Sequence, residues 1–128
     1  MRAFLPLSWV WLFVASGCAP TPAPGPIAGA ELAARLESGS PPLVLDVRTP
    51  SEYSAGHVPG AINIPHTELE NRLDEIGQRR DIEIVVYCRT GRRAAMAEAL
   101  LLEADFSRVR DLKGHMKQWQ ADGHPVQP

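Results

Sequence analysis

The sequence predicts an α/β fold, a mostly parallel sheet of four to five strands with helices on both faces. Two observations carry that expectation. Short apolar runs (Leu43-Val44-Leu45-Asp46-Val47, Ala61-Ile62-Asn63-Ile64, Glu83 to Tyr87, Arg108 to Leu112) alternate with stretches of helical pattern, and alternation of that kind builds parallel sheets. The runs at 43–47 and 83–87 are also almost continuously apolar, as strands covered on both faces are.

At 128 residues the chain has material for one domain with one core. Apolar residues at 45% and charged residues at 22% are ordinary for a globular protein, and a net charge of −2 gives no reason to expect nucleic acid as a partner. The organisation reads as three parts: a signal peptide over residues 1–18, a proline-rich linker over 19–26 and a folded domain over 27–128.

Met1-Arg2 supplies a short positive end, and Ala3 to Val14 is almost wholly apolar. That run is shorter than the ~20 residues a membrane-spanning helix needs, and it fits the core of a secretory signal peptide. Ala15-Ser16-Gly17-Cys18 resembles the lipobox of bacterial lipoproteins, although leucine is usual where Ala15 stands and Pro6 interrupts the apolar run. The resemblance implies a lipid on Cys18, membrane attachment through it, and an exported chain in the cell envelope or periplasm. Cleavage by an ordinary signal peptidase is the competing reading, and an uncleaved anchor a third. Ala19 to Pro26 carries a proline at every second position; such a segment favours extended polyproline structure and suits a tether.

Within the domain, Leu32 and Leu36 mark one face of a helix over Ala30 to Glu37, stopped near Gly39. After the first strand, Thr49-Pro50-Ser51-Glu52 is a strong helix start: threonine as N-cap, proline at the first position, glutamate closing a capping box. Gly56 to Gly60 is loop, then comes the short strand ended by Pro65. Leu69, Leu73 and Ile76 give one face of a helix terminated by Gly77. The central strand at 83–87 runs into Cys88, and an Ala-, Leu- and Met-rich helix follows to about Leu102. A last strand and a last helix, His115 to Ala121, complete the pattern.

Cys88 therefore stands at the carboxyl end of a strand, before a helix N-terminus, where parallel sheets bind ligands. The unpaired N–H groups and the helix dipole favour an anion there, and Arg89, Arg92 and Arg93 act in the same direction. Such a setting favours the thiolate, which is the nucleophile. A small core cysteine is the bland alternative, but three arginines and a glycine in the next five residues do not suit a core. If Cys18 is lipidated or removed, Cys88 is the sole remaining thiol. Retaining an unpaired cysteine in an oxidising compartment makes more sense if it reacts.

Leu45-Asp46-Val47-Arg48, Glu52-Tyr53 and Gly56 to Pro65 resemble the two signature stretches that precede the active site in rhodanese-like domains. Cys88-Arg89-Thr90-Gly91-Arg92-Arg93 resembles that family's active-site loop, and Leu112 to Trp119 its closing segment. The four pieces fall in the expected order between about Ile27 and Val126; His115 departs from the pattern, a second glycine being common there. The resemblance implies sulfur transfer without a cofactor. Cys88 would take a sulfur from a small anionic donor such as thiosulfate, hold it as a persulfide, and pass it to a thiol, a protein thiol or cyanide. Arg89, Thr90, Gly91, Arg92 and Arg93 would bind the substrate, with Asp46 and Arg48 as possible support for the loop. The alternative is a persulfide carrier or protein-binding module with little turnover.

Loop length weighs against a cysteine phosphatase or arsenate reductase. Those enzymes separate cysteine and arginine by five residues, whereas four lie between Cys88 and Arg93 and position 94 is alanine. Asp46 is also explained as a carboxylate fixing nearby backbone, and Glu52 by the capping box. His57 and His66 read as structural or surface residues, and the four histidines show no metal-ligand spacing.

Overall fold

The computed structural model describes residue 17 and residues 24–128. The signal-peptide and lipobox readings, Cys18 included, and most of the linker lie outside those residues. The elements are α1 (Gly29–Glu37), β1 (Leu43–Asp46), α2 (Pro50–Ala55), β2 (Ile62–Asn63), a 3-10 helix (Leu69–Glu75), β3 (Glu83–Tyr87), α3 (Arg92–Glu103), β4 (Arg108–Asp111) and α4 (His115–Ala121). The strands form one four-stranded sheet in the order β2-β1-β3-β4, every pairing parallel.

Side chains of a strand alternate between faces, and β3 divides the core accordingly. Ile84 and Val86 pack on one face with Leu69 and Ile76 of the 3-10 region and Ala94, Ala97 and Leu101 of α3. Val85 and Tyr87 pack on the other with Leu32 of α1 and Met116 and Trp119 of α4. Both faces are covered, which is why the central strands read as continuous apolar runs.

The expected element order holds. The helix expected around Leu69 to Ile76 is instead a 3-10 segment, kinked at Arg72 (φ −127°, ψ 20°). Leu69 and Ile76 are buried there and Leu73 is partly covered, a short anchoring for which 3-10 turns suffice. The capping box forms: Glu52 N–H donates to Thr49 Oγ1 at 3.2 Å, and Thr49 N–H to Glu52 Oε1 at 3.4 Å.

Candidate active site

The chain passes from β1 outward to β2 and then back across to β3, so the strand order reverses between β1 and β3. The carboxyl ends of two strands that part in this way leave a crevice. Asp46, the last residue of β1, and Cys88, just after β3, stand on its two sides.

The Cys88 loop is gripped from two helices. Gly91 is the N-cap of α3 with φ +124°, a backbone conformation that glycine takes without strain. Its N–H donates to Cys88 Sγ at 3.0 Å. On the other side, the first N–H groups of α4 are used on the loop: Met116 N–H donates to the Cys88 carbonyl at 3.0 Å and Lys117 N–H to the Arg89 carbonyl at 3.1 Å. Cys88 itself is 1% exposed and packs in the α3-side core. Burial alone would equally suit a core cysteine. Beside that burial stand two further features, the Gly91 N–H aimed at Sγ and Arg93 in the first turn of α3.

Arg93 is held by Glu52, with guanidinium-to-carboxylate distances of 2.6 and 3.0 Å. That hydrogen-bonded pair raises the Arg93 pKa. It pulls the Glu52 pKa down to about 2. Glu52 thus serves both the helix cap and the active-loop arginine, and only the first role was readable from its spacing.

A second pair sits deeper. Arg48 makes a bidentate contact to the fully buried Asp46, Nη2 to Oδ2 at 2.7 Å and Nε to Oδ1 at 3.0 Å. Arg48 also donates to the Gly56 carbonyl at 2.8 Å. Tyr87 completes the network, its hydroxyl donating to Asp46 Oδ2 at 2.7 Å and accepting the Val58 N–H at 3.1 Å. Burial, and then the Asp46 charge, raise the Tyr87 pKa, so the hydroxyl stays a donor. Burial works against the Arg48 cation, and the Asp46 contacts outweigh it. The network ties the end of β1 to the end of β3 and to the loop that follows α2.

Beside the loop lies a pocket of about 320 Å³, lined among others by Arg48, Glu52, Gly56, Arg89, Met116 and Lys117. Among the described residues Arg48 and Glu52 are neutralised by their partners, while Arg89 and Lys117 enter no ion pair. The lining thus carries an excess of positive charge, suited to a small anion.

A family model described as the rhodanese-like domain matches residues 29–122. The chain belongs to that family. A sulfurtransferase of Allochromatium vinosum is 36% identical over 95 residues, covering 74% of this chain and 87% of that protein. An HTH-type transcriptional regulator of Mycobacterium tuberculosis is 46% identical over 101 residues, 78% of this chain but only 43% of that regulator. Among solved structures, a rhodanese-related protein from Thermoplasma volcanium superposes with a TM-score of 0.69 at 31% identity, covering 81% of this chain and 98% of its own.

In this rhodanese-like domain the anticipated site residues occupy different settings. Cys88, Gly91 and Arg93 converge, and Asp46 and Arg48 brace the neighbouring strand end. Arg89 faces the pocket, while Thr90 is exposed on the loop and Arg92 at the first position of α3. Gly91 N–H is the one donor to Sγ among the described hydrogen bonds. His57 stacks on Tyr53 at 3.7 Å and is structural. Reading by spacing passed over Tyr87 and Lys117. A phenol closing an aliphatic run, and a lysine within the closing segment, were the available signals.

Proposed function

We propose that this chain is a sulfurtransferase working through a Cys88 persulfide. The observation that carries this reading is the Gly91 N–H directed at Cys88 Sγ at 3.0 Å, at the start of a helix and close to Arg93. The Cys88 thiolate attacks the outer sulfur of thiosulfate or a similar donor. The donor's S–S bond breaks, sulfite leaves as a dianion, and the sulfur stays on Cys88 as a persulfide anion; no proton moves. Arg89 or Arg92 holds the departing anion by charge-assisted hydrogen bonds. The loop N–H groups and Arg93 stabilise the negative end of the persulfide. A thiolate or cyanide then attacks the terminal sulfur, giving a new persulfide or thiocyanate and restoring the thiolate.

In the full chain, Cys88→Ser is expected to abolish thiocyanate formation from thiosulfate and cyanide, and Arg93→Ala to lower it. Activity that survives Cys88→Ser sinks the reading. Sulfur uptake without turnover would leave the carrier reading, in which the acceptor is another protein. The same proposal places the domain on a membrane through a lipid on Cys18; Cys18→Ser should shift the chain from the membrane to the soluble fraction of an expressing bacterium.

A further inference from the structure

His115 stands where the backbone is left-handed, φ +52°. Glycine takes that conformation freely and a β-carbon makes it costly, so the ring must be retained against strain. It is nearly buried, 8% exposed, and lies directly beneath the Cys88 loop. Cys88 N–H points at His115 Nδ1, 3.3 Å away. An N–H can only donate, so Nδ1 carries the lone pair and the ring proton is on Nε2. That edge abuts Gly91: a Cβ built on Gly91 would stand 2.9 Å from His115 Nε2. One ring thus touches both residues that define the sulfur position, the cysteine and the glycine whose N–H meets Sγ.

We propose that His115 is a positioning residue for the sulfur-carrying loop, its Nδ1 holding the Cys88 amide while the ring bears on Gly91. The inference rests on the sulfur-transfer reading for its consequence, not for its geometry. Protonation of Nδ1 would replace an acceptor by a donor facing a donor, and release the amide. Burial opposes that protonation and lowers the His115 pKa, while the charge of Asp111 on β4 partly offsets it. Asp111 in turn shares its surroundings with Glu98 of α3, whose pKa burial and Asp111 push up to about 7. The titratable and charged groups on the surrounding elements include Cys88 and Arg89 of the loop, Arg92, Arg93 and Glu98 of α3, Asp111 of β4 and Lys117 of α4; of these, Asp111 is the one whose charge shifts the His115 pKa.

The test is single-turnover sulfur uptake from thiosulfate by the full chain, read by intact mass, in wild type, His115→Gly and His115→Asn. Asparagine tolerates the left-handed backbone and can present an acceptor oxygen near the place of Nδ1. His115→Gly should load about five-fold more slowly at saturating thiosulfate, the scale of one lost hydrogen bond, with the half-saturating concentration unchanged. His115→Asn should recover the wild-type maximum. As pH falls, uptake by wild type should decline with two protonations and uptake by His115→Asn with one, a difference that persists in a Glu98→Gln background. Wild-type loading by His115→Gly, or loss in His115→Asn equal to that in His115→Gly, overturns the proposal.

A second measurement needs neither a variant nor sulfur chemistry. Exchange of the Cys88 amide in wild type, corrected for its intrinsic pH dependence, should lose protection as the His115 imidazole titrates. Unchanged protection across that titration contradicts the role assigned to His115. Should wild type take up no sulfur, the proposed function fails, while this second measurement still decides the role of His115.

Discussion

Two arginine–carboxylate pairs flank the crevice, and they differ in kind. Asp46–Arg48 is buried, with side-chain exposures of 0% and 6%, and every contact extends into backbone or Tyr87. Glu52–Arg93 is about one-third and one-quarter exposed, and beyond each other its members meet only Thr49 among the described contacts. The first pair fixes where two strand ends and a loop stand relative to one another. The second is partly open to solvent and stands at the start of α3, next to the Cys88 loop. Proximity to the site does not by itself make an arginine a substrate ligand; burial and the number of partners tell the frame from the working charge.

The frame should break hardest. Asp46→Ala leaves the Arg48 guanidinium buried without its counter-ion, and a loss of roughly 3–5 kcal/mol is expected in denaturant unfolding. A loss below about 1 kcal/mol, the scale of a surface pair, would erase the distinction between the pairs. Tyr87→Phe removes one hydroxyl and strands one Asp46 lone pair and the Val58 N–H, so a loss of about 1–3 kcal/mol should follow by the same measurement.

Glu52→Gln should cost no more than about 1 kcal/mol at neutral pH, and its signature is in pH. The folded-state pKa of Glu52 is depressed to about 2 from an ordinary 4.5. Its contribution is therefore fully present above about 4.5 and is lost as pH falls towards 2. A wild-type chain should lose stability relative to Glu52→Gln over that window, and parallel curves would contradict the assignment.

Glu98 sharpens the comparison from the opposite side, as a carboxyl beside another carboxyl, Asp111, neither of which enters an ion pair among the described residues. Its pKa is raised to about 7, so the folded state binds more protons than the unfolded one between about 4.5 and 7, and stability falls as pH rises through that range. Glu98→Gln should remove that decline and raise the melting temperature slightly at pH 8, but not at pH 4. This is the smallest effect of the four.

Most of the fold was legible because strands and caps are local. The continuous apolar run before Cys88 and the Thr49–Glu52 spacing each have one physical meaning, and both formed as expected. The 3-10 segment at 69–75 was not legible, since spacing at 69, 73 and 76 fits a regular helix and the kink at Arg72 leaves no sequence mark. In the candidate site, Cys88 stood out as a candidate by the arginines around it, because charge clustering beside a strand end needs no partner to be noticed. Glu52 was half legible: its cap is three residues away, but Arg93 lies 41 positions along the chain. His115 could be seen to depart from a pattern, yet its contact with the Cys88 amide joins residues 27 apart. Pairings of that range are set by sheet order and packing.

Whether Cys88 carries sulfur is decided by the intact mass of the chain before and after incubation with thiosulfate. A gain of one sulfur atom localised to Cys88, absent in Cys88→Ser and discharged by cyanide, is the expected result. A folded, reduced chain that gains nothing, or that gains sulfur elsewhere, would contradict it.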